Sequence, residues 1–593
     1  MSPAPITKCS FCSDVEGNLD HFERYIQHST VLTWTDHDRK CLEFQDDDTM
    51  FVYGGDSQDK GIGDIRFVKM LLDLKTRYPE RVQMIIGNRD GNKIRLCSEL
   101  TPECIEDKNV LIDKEYPYWE SESNRKNTPQ VFLDQNGFTN TAPNRLKWIL
   151  KHSMGAEGAF DRRRNELSII GNCEKEAITE DAVVQSYRDE CDPQSPDNFM
   201  LQYLRAAKIA YVFGATIFVH GALNAQNIGT VPGKENVETH LPTWVDSLNK
   251  WAQKELADFE NNPYEGKTSR SRAGDGLTNY GSGEKGNGGR TVTSADFLKD
   301  GNSHPLPVVV QQYMLDSNIN TVLSGHKPHG DCPNVICTGQ VKAISADTSY
   351  SQMGAASDWG VDNRGTHCVS EVIVDLRGVC TVRGKLADGT VFGYTVGGKG
   401  SDEFVGHQLE DKSWIKAKIT GAPEYVACLG KGYALTPSRK TAAELAATRF
   451  VAPETRRETL YRIDRPHLLH TGPRSYADSD WAHTGDVVEE YWCGVKIRKG
   501  VPVHTKSDVH GSLTDIPNAE STVPVRIPAA IKRGVWKFKK TGMNEDEQDQ
   551  WEWRQEGDWD IYSETLSDDP ARHDSKVVAL LSQLIANEKA RTV

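Results

Sequence analysis

Long apolar runs are missing from this 593-residue chain, and no stretch approaches the roughly 18 to 20 residues that a membrane-spanning helix needs. The segment from Met1 to Asp14 lacks the charged-then-apolar layout of a signal peptide. Basic residues are outnumbered, with 70 Lys and Arg against 85 Asp and Glu and a formal net charge of -15. No block of Lys and Arg is long enough to track a phosphate backbone, which argues against nucleic acid as partner. Cysteines are thin and odd in number, 13 in all, and only Cys9 and Cys12 form a C-x-x-C pair. The pair has no second pair or nearby histidine to complete a zinc site, so reduced thiols are expected over a redox or metal role. Together these absences predict a cytoplasmic chain with neither membrane nor nucleic acid as partner. What remains is ordinary globular material, since 37% of residues are hydrophobic and 49 are glycine. At roughly 100 to 200 residues per domain the length allows several domains, or fewer if one carries insertions.

The first hundred residues alternate strand, turn and helix. A strand-like entry ends at Ser13, and the apolar run Met50 to Tyr53 ends in Gly54-Gly55. A helical pattern from Ile65 to Tyr78 then stops before Pro79, and Val82 to Ile86 forms a short apolar strand ending at Gly87. This order predicts an α/β layer with parallel strands. Further apolar strands are expected at Thr216 to Val219, Thr321 to Leu323 and Val341 to Ile344. Helical stretches around Asn144 to His152 and Phe199 to Val212 read as a helical insertion over about residues 100–212. A helix from Thr243 to Glu260 spaces Trp244, Leu248, Trp251, Leu256 and Phe259 for core or cap packing. Residues 266–290 are rich in Gly and Ser and read as a flexible loop or lid. From His367 the period changes to two, and Ala387-Asp388-Gly389 marks a hairpin turn. The expected division is a first domain over 1–400 and a β-rich C-terminal module over 401–593, with Trp414 to Ile419 and Val535 to Phe538 as strands and Val577 to Glu588 as a terminal helix.

Five short polar motifs follow strand ends: Ser13 to Asn18, Gly55 to Gly61, Gly87-Asn88-Arg89-Asp90, Val219-His220-Gly221, and Ser324 to Gly330. In this order they resemble the motifs of the calcineurin-like metallophosphoesterases, and their spelling is similar to the phosphoprotein phosphatase and diadenosine-tetraphosphatase branch. Ala346-Asp347-Thr348 resembles the strand-ending D-T-G of that branch. The resemblance covers roughly residues 9 to 396. It implies an α/β metallophosphoesterase β-sandwich flanked by helices. It also implies metal-dependent hydrolysis of a phosphate monoester or phosphoanhydride, on a phosphoprotein or a nucleoside polyphosphate, by a metal-bridged hydroxide.

Two divalent ions about 3.5 to 4 Å apart need one bridging carboxylate and a few oxygen and nitrogen ligands on each side. Asp56 is the natural bridge, Asp14 and Glu16 would hold the first ion, and Asn88, His220 and His326 the second. Such ligands suit Mn, Fe, Zn or Mg, with Mn favoured. By the same resemblance Arg89 and Lys60 would bind phosphate oxygens, and Asp59 would orient Arg89. Lys60 reads equally well as a solvated loop lysine, and His329 reads as structural.

Two positions depart from the pattern. Glu16 stands where the first-metal histidine is expected, and Arg89 where a histidine would protonate the leaving group. Arginine stays protonated and cannot shuttle a proton, although it binds phosphate oxygens well. The two changes cancel in charge, so the swap preserves the electrostatics of the site while moving a positive charge towards the substrate. The rival account places Arg89 across the site against Glu16, Asp59 or Asp90, a guanidinium replacing a metal ion. The chain would then be a catalytically inactive interaction protein of a larger assembly, with a protein partner at the C-terminal module.

Overall fold

The computed structural model describes residues 5–451, except 36–40, 113–125, 235, 265–271, 283–290, 349–366 and 433. Beyond them it describes the backbone of seven short strands between His467 and Glu556. The chain is a mixed α/β protein whose contacts separate it into two compact units. The first comprises residues 1–223, 245–305 and 318–452; the second comprises 224–244, 306–317 and 453–593.

Two sheets build the first unit. In the six-stranded sheet the order is Val391–Val396, Cys380–Lys385, Val369–Asp375, Lys8–Cys12, Thr49–Tyr53 and Val82–Met84. Lys8–Cys12, Thr49–Tyr53 and Val82–Met84 run parallel, in the register Cys12 to Tyr53 and Tyr53 to Met84. The hairpins from Val369 onward are antiparallel, and the turn between the last two strands uses Gly389 at φ 84°. The five-stranded sheet runs Asn334–Thr338, Val341–Ser345, Thr321–Ser324, Thr216–Val219 and Ala210–Phe213, with its central three strands parallel. Strands buried on both faces read as unbroken apolar runs, which is why Met50 to Tyr53 and Thr216 to Val219 show no polar alternation.

Side chains of both sheets meet in one apolar cluster that includes Phe11, Val52, Phe218, Leu323, Ile344 and Val372. Phe11 and Phe218 lie 5.6 Å apart between ring centroids, and both are fully buried. Burying a side chain of this size contributes roughly 1.5 to 3 kcal/mol relative to leaving it in water. The antiparallel strands Trp414–Lys418, Glu424–Lys431 and Ala434–Thr441 add Ile415, Ala417 and Val426 to the same cluster.

Between the sheets' contributions the chain forms short helices, among them Ala142–Trp148, Ala159–Gly171, Glu180–Asp189 and Phe199–Ala206. Several of them pack around Leu146, Ile149, Phe160 and Tyr187. The helix expected to run to Val212 stops at Ala206, because Ala210–Phe213 turns back on Thr216–Val219 as a hairpin through Gly214 at φ 56°. Of the Gly- and Ser-rich stretch, residues 272–282 are described and hold the helix Asp275–Ser282, with Leu277 and Tyr280 buried. Residues 266–271 and 283–290 lie outside the described residues, as does Val577 to Glu588.

In the second unit the Trp244 indole donates to the Thr230 carbonyl at 2.8 Å and meets Tyr313 edge-on. Tyr313 in turn donates to the Glu238 carbonyl at 2.9 Å. Its C-terminal portion includes the antiparallel pair Val535–Met543 and Asp549–Glu556, the latter carrying Trp551 and Trp553.

Candidate metal and phosphate site

The polar loops leave the C-terminal ends of the parallel strands, where an α/β sheet gathers backbone groups and side chains at one edge. Their backbone is unusual. Asp14, Glu16, Asp56, Asp59 and His326 all have positive φ, between 50° and 96°, and they make up five of the nine such non-glycine residues described. Each such residue costs of order 1 to 3 kcal/mol and persists only where its surroundings over-determine it. Here those surroundings are visible. Asp14 N–H donates to the Gly55 carbonyl at 3.0 Å, and Glu16 N–H to the Asp56 carbonyl at 3.1 Å. A side chain at Gly87 would collide with Asp56 Oδ1, so only glycine lets the third strand end this close.

The side chains form two halves around Asp56. On one side the His220 Nδ1–H donates to the Gly54 carbonyl at 2.9 Å, which directs Nε2 towards the site. There Nε2 lies 3.0 Å from Asn88 Oδ1 and 3.3 Å from Asp56 Oδ1. The His326 ring is 5.2 Å away, and Asp56, His220 and His326 each offer a ligand atom within 4.8 Å of the others. A carboxylate oxygen, an amide oxygen and an imidazole nitrogen aimed at one another repel unless a cation sits among them. The ring answers by holding its proton: although burial pushes it down, Asp56 and then Asp14 raise the His220 pKa to about 10. The donor set suits a borderline or hard divalent ion such as Mn, Fe, Zn or Mg.

The other half is already neutralised. Arg89 Nε lies 3.0 Å from Glu16 Oε1 and 3.4 Å from Asp56 Oδ2, and Nη1 lies 3.7 Å from Asp59 Oδ2. Nη1 also donates to the Met154 carbonyl at 3.0 Å, and Nη2 to the Gly155 carbonyl at 3.4 Å. Burial works to raise the Asp56 pKa, but His220, Arg89 and His326 together hold it well below the usual carboxylate range. Asp14 accepts from the His326 N–H, at 3.1 and 3.0 Å to its two oxygens, and from Ser13 Oγ. Burial, with Asp56 and Glu16 adding to it against His220, pushes the Asp14 carboxyl up to about 7.

All the acidic, amide and imidazole residues expected from the sequence therefore lie in these strand-end loops. Lys60 belongs to the same loop as Asp59, where its N–H donates to the Glu16 carbonyl at 2.9 Å. His329 lies apart, its Nε2 3.2 Å from the Gly301 carbonyl. Asp90 accepts from the N–H groups of Asp56, Ser57 and Gly87 at 2.8 to 2.9 Å and so fixes the loop.

Several participants were not read from the sequence. Lys93, fully buried, is ion-paired with Asp59, and burial of that carboxylate is outweighed by Lys93 and then Arg89, which lower its pKa. Arg89 and Lys93 stand four apart on one helical stretch, the spacing that puts two side chains on one face, and that signal was available. The carbonyls of Met154 and Gly155 and the Arg162 guanidinium, which donates to the Asp59 carbonyl at 2.7 Å, come from more than sixty positions away and leave no local trace.

No family model matches the chain. Among solved structures the chain is similar to the cold-active protein-tyrosine phosphatase of a psychrophilic Shewanella species, at 14% identity over 66% of this chain and 80% of that one, with a TM-score of 0.33. A further structure of a cold-active protein tyrosine phosphatase matches at 13% identity over 66% and 79%, with a TM-score of 0.35. A protein serine/threonine phosphatase from Saccharomyces cerevisiae, with similarity to human phosphatase PP5, matches at 13% identity over 63% and 74%, with a TM-score of 0.25. Likeness at this level leaves the functional reading to the residues of the site.

Proposed function

We propose that this chain is a metal-dependent phosphoesterase with a calcineurin-like sandwich, hydrolysing a phosphate monoester or a phosphoanhydride. The observation that carries the reading is the convergence of Asp56, His220 and His326 within 4.8 Å, with Asn88 Oδ1 beside the His220 nitrogen. Asp56, Asn88, His220 and His326 are the residues that would hold a divalent metal, and Asp14 and Glu16 would join them only if a second ion bound. Bound there, a divalent ion would acidify a water molecule and neutralise phosphate oxygens.

The protein's own groups supply the rest. Gly54 holds the proton of His220 on Nδ1 and keeps Nε2 for metal. Arg89 carries a permanent charge beside the carboxylates, and its longer bonds to Gly155 are the ones a phosphate oxygen would exchange with most easily. Asp59 steadies Arg89, and Lys60 on the adjoining turn adds a second cation for phosphate. Arg89 cannot protonate a leaving group, and general-acid catalysis typically contributes about 10²- to 10⁴-fold. Good leaving groups, as in nucleoside polyphosphates and aryl phosphates, are therefore favoured over phosphoserine.

One observation supports a second reading. The Arg89 guanidinium spans Glu16 and Asp56, as expected of a catalytically inactive relative that keeps the fold for partner binding through residues 401–593. Hydrolysis of para-nitrophenyl phosphate with added Mn²⁺, beside Asp56→Asn prepared in parallel, separates the two. Activity in the parent chain that is lost in the variant supports the enzyme. No activity in either, or equal activity in both, rejects it.

A further inference from the structure

We infer that this site takes one divalent ion rather than two, the Arg89 guanidinium standing permanently where the first ion of a two-metal centre would be. The inference rests on the metal-dependent reading above and deepens it.

Three observations lead to it. The group of mutually close ligand atoms among the described residues consists of Asp56, His220 and His326, and includes neither Asp14 nor Glu16. The oxygens that a first ion would need are committed elsewhere. Glu16 Oε1 is 3.0 Å from Arg89 Nε, and Asp56 Oδ2 is 3.4 Å from the same nitrogen. Both Asp14 oxygens accept from the His326 N–H, and Ser13 Oγ adds to one of them. Finally, the guanidinium is braced from behind. Nη1 meets Asp59, whose other oxygen pairs with the buried Lys93, and it donates to the Met154 carbonyl at 3.0 Å. A cation held by carboxylates and carbonyls on three of its edges has little freedom to withdraw for an ion of the same sign.

Charge balance agrees. Asp59 and Lys93 cancel each other. With His220 giving up its proton to metal, Asp14, Glu16 and Asp56 against Arg89 leave two negative charges for one divalent ion, and a second ion would have to sit against the fixed guanidinium in a buried site. Exchangeable metal belongs on the side where Asp56, His220 and His326 offer ligand atoms within 4.8 Å of one another.

The test is metal content of the full-length chain equilibrated with Mn²⁺ and dialysed, read by elemental analysis and by electron paramagnetic resonance. One Mn²⁺ per chain with the six-line spectrum of an isolated ion is expected, falling to none in Asp56→Asn. Arg89→His, alone or with Glu16→His, is expected to raise the content to two ions and to give the broadened multi-line spectrum of a coupled pair. Two ions in the parent chain would overturn this inference and leave the metal-dependent reading intact. No ion in the parent chain would overturn both. One ion in the parent and still one in both folded Arg89 variants would overturn the role given to Arg89. Because the spectrum of the parent alone distinguishes one ion from a coupled pair, the inference remains falsifiable even if the variants do not fold.

Discussion

The two halves of the site solve one electrostatic problem in different ways. On the Asn88, His220 and His326 side the Asn88 and Asp56 oxygens lie 3.0 and 3.3 Å from His220 Nε2, and a proton held by His220 offsets them. On the Glu16 and Asp59 side two permanent cations, Arg89 and Lys93, are built into the chain. A buried carboxylate must be neutralised, and either an exchangeable ion or a side chain can do it. Under the proposed function the side that relies on an exchangeable cation is the one that would bind and release metal, and the side that relies on arginine and lysine would need none.

The largest expected effects break this contrast at its centre. Asp56 is shared by both halves, and Asp56→Asn is expected to abolish Mn²⁺ binding and phosphate-ester hydrolysis together, measured by elemental analysis and para-nitrophenyl phosphate turnover. Next comes the braced half. Lys93→Met leaves Asp59 buried without its principal cation, and breaking a buried pair in this way costs about 3 to 5 kcal/mol. Urea unfolding of the metal-free chain should show that loss, while Mn²⁺ stoichiometry in the folded fraction stays unchanged. A smaller loss, below about 1 kcal/mol, would mean that the pair is screened as surface pairs are.

Coupling between the halves is a finer test. Glu16→His and Arg89→His alone should each impair activity more than the double change, and equal additive effects would show that the two positions act independently. The smallest effect concerns histidines that have a cation for a neighbour instead of a carboxylate. Burial and then Arg24 lower the His21 pKa to about 3, and burial and then Lys416 do the same for His329. Both stay neutral in the folded chain while the unfolded chain gains their protons below the ordinary histidine value. Stability is therefore expected to fall as pH drops below about 6.5, by about 1.4 kcal/mol per pH unit for each histidine. His329→Gln should reduce that slope in urea unfolding between pH 6.5 and 4.5, and an unchanged slope would contradict it.

Much of this arrangement was legible before the structure. Strands such as Met50 to Tyr53 and Thr321 to Ser324 announce themselves as apolar runs, and each ends in a cluster of Gly, Asp, Asn or His with no use for a strand. Those clusters contain every residue of the histidine half. The arginine half was half legible: Arg89 against Glu16 and Asp59 was anticipated as one of two accounts, and Asp90, also considered as its partner, instead caps backbone N–H groups. Lys93 could have been placed beside Arg89 by its spacing of four, but the carbonyls of Met154 and Gly155 were not legible as partners. Their role depends on how the helices between the two sheets return to the site, and contacts across such sequence distances leave no periodicity to read. The end of the helix at Ala206 was missed for a related reason, since Tyr211 and Val212 suit a helix by pattern and become a strand only by pairing with Thr216 to Val219.

The most direct test of the account is the anomalous scattering of crystals of the full chain grown with Mn²⁺. The account predicts one strong peak within ligand distance of Asp56, His220 and His326, with the Arg89 guanidinium still lying against Glu16. A second peak of equal height between Asp14 and Glu16, with Arg89 displaced, would contradict it.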